Sequence, residues 1–170
     1  MSVPALYKQN AVSGSIQLGL DIGMFEHFPR QVNWHGVQLL KKSEFHVTLL
    51  HAKSHAGLSN ISNQELASFF TTFVSKWPIA LLSFTDDFRY VEEGEKKTLL
   101  VRCIVSHIEE LFAALNRAFG THLPVQPAHV TLYSLETTVG IHVNSEGAMA
   151  RLERVESPEL EEAYGKINLL

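Results

Sequence analysis

The tetrapeptide His46-Val47-Thr48-Leu49 occurs a second time, unchanged, as His129-Val130-Thr131-Leu132. No other His-x-Thr triplet exists in the chain. With nine histidines and nine threonines, one such triplet is ordinary. The identical tetrapeptide twice has a chance of roughly 10⁻⁵ in a shuffled chain of this composition. Both copies lie in runs that read as strands, expected over 45–51 and 129–135. On a strand, residues i and i+2 share a face, about 6.5–7 Å apart. His46 therefore projects with Thr48, and His129 with Thr131. Val47, Leu49, Val130 and Leu132 project to the other, buried face. Two polar pairs are costly in a dry core. A wet cleft that sets the pairs opposite one another removes that cost.

The surrounding pattern gives these strands a frame. Residues 15–22 alternate as a strand, with Ile16, Leu18, Leu20 and Ile22 on one face. A short apolar run follows at 37–40. Residues 62–77 switch to helical spacing through Leu66, Phe69, Phe70, Phe73 and Val74. Ser62 and Glu65 fit a capping box, and Pro78 lies just past the stop. Two β-rich runs, 79–91 and 97–105, flank Glu92-Glu93-Gly94-Glu95 as a hairpin. A second helix is expected over 106–119, with Ser106 and Glu109 as a capping box and Gly120 as its stop. Ile141-His142-Val143 reads as one more strand, and a short helix is expected around Pro158, Leu160 and Tyr164. Strands followed by a helix appear twice. The expected fold is α+β and bilobal: two antiparallel sheets, each with a packed helix, and the two His-x-Thr strands facing a central cleft. A single domain over 1–170 suits the length.

Composition narrows the partners. The formal net charge is −4, which argues against a broad basic surface for duplex nucleic acid. The single cysteine, Cys103, excludes an internal disulfide and a cysteine metal cage. It sits in an apolar run and reads as a small core residue. No apolar stretch approaches the ~18–20 residues that a membrane helix needs. No signal-peptide pattern opens the chain. A cytoplasmic monomer without a membrane partner is expected.

Two His-x-Thr motifs, each followed by an apolar residue and half a domain apart, resemble those of the two-histidine (2H) phosphoesterase superfamily. That superfamily includes cyclic phosphodiesterases, 2′-5′ RNA ligase-like proteins and nucleotide-binding relatives. The resemblance runs from about Ser15 to Val143. It implies that His46, Thr48, His129 and Thr131 form a catalytic set, acting on a nucleotide or short RNA without a metal or other cofactor. The expected activity is hydrolysis of a 2′,3′-cyclic phosphate or a 2′-linked phosphodiester. The alternative is a non-catalytic module that binds a nucleotide such as AMP in the same cleft. In bacterial RNA ligase-like members an arginine commonly follows the second motif. Here Ser134 stands in its place.

The chemistry suits these residues. Opening a cyclic phosphate needs a proton removed from water on one side of phosphorus and a proton given to the leaving oxygen on the other. One neutral and one protonated histidine supply both near neutral pH. The threonine hydroxyls can donate to the non-bridging oxygens. The residues leave open which histidine is base and which acid. Tyr133, by alternation, is expected beside His129 and Thr131 as a substrate-binding ring. His51 and His55 read as solvated loop histidines rather than metal ligands. For Arg89, Lys97 and Arg102 on the hairpin, reach to a phosphate and a solvated strand edge are equally good readings.

Overall fold

A computed structural model describes residues 6–136 and 140–167. It contains β1 (Tyr7–Gln9), β2 (Ile16–Leu20), β3 (Gln31–Trp34), β4 (Val37–Lys41), β5 (Phe45–Leu50), α1 (Asn63–Lys76), β6 (Leu81–Glu93) and β7 (Lys96–Val105). These are followed by α2 (Ile108–Phe119), β8 (His129–Ser134), α3 (Glu146–Ala150), β9 (Glu153–Arg154) and α4 (Pro158–Tyr164). The fold is α+β with antiparallel strand pairing, as expected.

Helix starts follow the side chains available to cap them. Ser62 accepts from the Glu65 amide while the Glu65 carboxylate accepts from the Ser62 amide, so α1 opens on the expected capping box. α2 does not. Its N-cap is His107 at φ 56°, without a side-chain cap. The Ser106 hydroxyl is used elsewhere: it accepts from the Ala80 amide at 2.9 Å and donates to the Pro78 carbonyl at 3.1 Å. Gly120 ends α2 in the left-handed conformation, as its position suggested. β2 is shorter than its alternation implied. Asp21 caps a 3-10 turn through the Gly23 amide, which leaves Ile22 60% exposed instead of in the core.

The strands follow the order β1-β2-β5-β8-β7-β6-β9, with the β3–β4 hairpin joined through β4 to β8. The two expected sheets are thus one hydrogen-bonded sheet, and the motif strands β5 and β8 are neighbours within it. α1, α2 and α4 cover one face: Leu66, Phe70, Phe112 and Leu160 share a core with Val47, Leu49, Val130 and Leu132. Cys103 is buried in that core, and burial pushes its thiol up to about 12. The other face carries a smaller cluster of Val91, Leu100, Ile141, Val143 and Met149. Residues 141–143, expected as a strand, are irregular chain that supplies this cluster.

Both motif strands contain one extra residue. Ile16 and Gln17 of β2 pair with Leu50 and Thr48, so Leu49 has no partner of its own. Leu99 and Leu100 of β7 pair with Tyr133 and Thr131, so Leu132 has none. Each is a β-bulge, which shifts the inside–outside alternation by one residue. The bulge falls on the fourth residue of the repeated tetrapeptide in both copies. Leu49-Leu50 and Leu132-Tyr133 are accordingly buried as pairs.

Candidate active site

β5 and β8 are antiparallel and are bridged at Val47–Val130. The edge of β8 is shared: β4 takes Tyr133 and Ser134, the Lys42 amide donates to the Leu132 carbonyl at 2.9 Å, and β5 takes Val130. Beyond the bridge, the buried Gln126 side chain donates to the Thr48 carbonyl at 2.9 Å. Counting one residue outward from Val47–Val130 sets His46 across from Thr131 and Thr48 across from His129. The four motif side chains thus share the face opposite the helices. His46 and His129 lie on a diagonal, for which Cα separations are about 7–8 Å.

The two histidines differ. His129 is 6% exposed, and its Nδ1 lies 2.8 Å from the Pro127 carbonyl. A carbonyl only accepts, so Nδ1 carries the proton and a neutral ring keeps its lone pair on Nε2. Burial, then the Arg102 guanidinium, holds this imidazole below the ordinary histidine value, against the Pro127 carbonyl, which raises it. His46 is half-buried. Burial lowers it first, followed by Lys42, His129 and Lys8, while Glu44 raises it.

His46 and Thr131 open into a polar cleft of about 250 Å³. Its wall includes two further histidines, His51 and His142. Their rings meet as a tilted pair, with centroids 3.5 Å apart and planes inclined by 34°. The Leu49 bulge is why His51 is there. With the alternation moved by one, the fifth residue after His46 returns to the motif face. A signal for His142 did exist: Ile141 and Val143 are buried, so the residue between them points away from that cluster. His142 is exposed on its open side, yet it senses both motif histidines; what burial it has lowers it first, then the charges of His129, Lys96 and His46.

Tyr133 is not in this cleft. The Leu132 bulge turns it into the main core, where it is fully buried and its hydroxyl donates to the Pro29 carbonyl at 2.9 Å. No surface is left through which it can meet a substrate. The hairpin cations are held by acids. Arg89 pairs with Asp87 at 2.6 Å, and Lys97 with Glu92 at 3.1 Å. Arg102, opposite His129 in the register, pairs with Glu146 at 2.8 Å. His55 is buried rather than solvated, and its charge acts on His51.

Among the described residues, no group of three His, Cys, Asp or Glu is placed to hold a metal ion. No helix among them is long and apolar enough to cross a membrane. Comparison of the chain with protein-family models, curated proteins and solved structures finds no match.

Proposed function

We propose that this chain is a metal-independent phosphodiesterase of the two-histidine type, opening a 2′,3′-cyclic phosphate or a 2′-linked phosphodiester in a nucleotide or short RNA. The observation that carries the reading is the Val47–Val130 register, which supports one phosphate bracketed by His46 and His129 with Thr48 and Thr131 beside it.

The surroundings of the histidines suggest their roles. His129 enters the reaction neutral, with its lone pair on Nε2, and acts as the base. It takes a proton from water as the water oxygen bonds to phosphorus. The ring P–O bond breaks on the opposite side, and the departing ribose oxygen takes a proton from His46. A phosphomonoester remains. A bound phosphate anion beside His46 favours its protonated form, offsetting the burial and the positive charges that lower it. The threonine hydroxyls donate to the non-bridging oxygens, where charge accumulates.

The test is turnover of a panel of 2′,3′-cyclic nucleotides and 2′-5′ dinucleotides in EDTA, with wild type and His129→Ala side by side. Turnover that survives chelation and collapses in the variant supports the scheme. Loss of activity in EDTA, restored by one metal, overturns it. Tight nucleotide binding without turnover of any member of the panel establishes the alternative, a nucleotide-binding module.

A further inference from the structure

The close, tilted ring pair His51–His142 lies on the same cleft as His46 and Thr131 but outside both motifs. We propose that this outer half of the cleft is a nucleobase subsite, in which a purine or pyrimidine ring stacks on the imidazole of His142. The proposal rests on reading the cleft as a nucleotide site and adds the part of the nucleotide that the motif residues do not touch.

The chemistry of the wall favours a base over a second phosphate. Among the described lining residues there is one lysine, Lys42, against one acid, Glu44. Asn10, Ser13, Ser15 and Gln17 supply neutral amides and hydroxyls. Such groups match the donors and acceptors of a base edge, whereas a phosphate pocket gathers cations. Gln17 is set on the motif face by its pairing opposite Thr48. The rings themselves point the same way. At 3.5 Å, two imidazolium ions repel strongly, and burial followed by His142 holds His51 down to about 4. The pair is therefore a neutral aromatic surface near pH 7. His51 is steadied from behind by a hydrogen bond between its Nδ1 and the Ser54 hydroxyl. Histidine rings serve as stacking partners for unpaired bases, and such stacking is sequence-tolerant.

The test compares two ligands that differ at C1 of the sugar, where one carries the base and the other a hydroxyl: adenosine 3′-phosphate and ribose 3-phosphate, titrated calorimetrically at pH 7. Wild type should bind the first more tightly. His142→Ala should weaken adenosine 3′-phosphate about 5- to 150-fold, the usual value of one stacked base. It should leave ribose 3-phosphate within about twofold. His142→Phe, which keeps a ring and removes every titratable nitrogen, should restore most of the loss. Equal binding of the two ligands by wild type overturns the subsite. So does equal weakening of both by His142→Ala with no rescue by Phe, the signature of an anion site. The catalytic reading fails separately. If no cyclic nucleotide is turned over but adenosine 3′-phosphate binding still depends on His142, the subsite stands without the enzyme.

Discussion

His129 donates from Nδ1 to the carbonyl of Pro127, two residues before it, at 2.8 Å. The bond sets the ring's tautomer from its own chain, before any substrate arrives. Among the described residues His46 has no matching bond to a backbone carbonyl; burial lowers it first, followed by the charges of Lys42, His129 and Lys8. A duplicated tetrapeptide is thereby made into two unlike groups.

His46→Ala and His129→Ala should each lower the rate on the best substrate by about 10²–10⁴, the contribution of a positioned acid or base. The double variant should be little worse than the worse single one, because the two act as a unit. Thr48→Ala and Thr131→Ala should lose less, about 1.5–3 kcal/mol for one hydrogen bond to a charged group. Steady-state kinetics on all five proteins checks this. Near wild-type turnover by His129→Ala would remove the second motif from the mechanism.

The pH optimum should lie below 6.5. The profile of kcat/KM reports the free enzyme, whose productive form has one histidine protonated and one neutral. That form peaks midway between the two values, and both are held below the ordinary 6.5. Activity should therefore decline as pH rises through 6.5 and decline again on the acid side. An optimum at pH 7.5 or above contradicts the electrostatics of the site.

Stability should fall as the solution is acidified. His129 is neutral and buried in the folded protein, with its value depressed, while in the unfolded chain it titrates near 6.5. Below that pH the unfolded state binds the extra proton. The folded state loses up to about 1.4 kcal/mol per pH unit from this residue, until its own folded value is reached. His46, His51, His55 and His142 are shifted in the same direction. Urea midpoints measured at pH 7.5, 6 and 5 should decrease, and His129→Gln should make the decrease shallower.

Gln126→Leu should cost about 1–3 kcal/mol, since it leaves the Thr48 carbonyl beside the seam without its donor. The substitution keeps roughly the volume of this 2%-exposed side chain, so a cavity is not the cause. Denaturant unfolding measures the cost. Because the lost bond ties the loop before β8 to the first motif strand, activity should drop as well, while Gln126→Glu cannot restore it for want of an amide donor.

Local signals carried much of this molecule. The α1 capping box, the hairpin turn at Gly94 and the stop at Gly120 depend on neighbours within a few residues, and each could be read directly. So could the motif face, which needs only period-two alternation up to Thr48 and Thr131. What could not be read is the bulge. A leucine that is extra in its ladder looks like any other leucine, since its partner strand decides the matter. Alternation without the bulge sets Tyr133 on the motif face and gives no reason for His51, just past the end of β5, to line the cleft. Joining two half-sheets into one sheet is likewise a long-range event, fixed by how β4, Lys42 and β5 share the edge of β8.

The twin bulges also give each half of the molecule the same reading frame: positions 0, 2 and 5 from the motif histidine come to one side. Positions 0 and 2 hold the same residues in both halves. Position 5 does not: it is His51 in one and Ser134 in the other, with Ser134 buried and donating to the Glu136 carbonyl. The symmetry of the backbone therefore ends at the third side chain, where one half presents an imidazole and the other a buried hydroxyl. In the nucleotide site proposed above, one orientation of the ligand should therefore be favoured over its reverse.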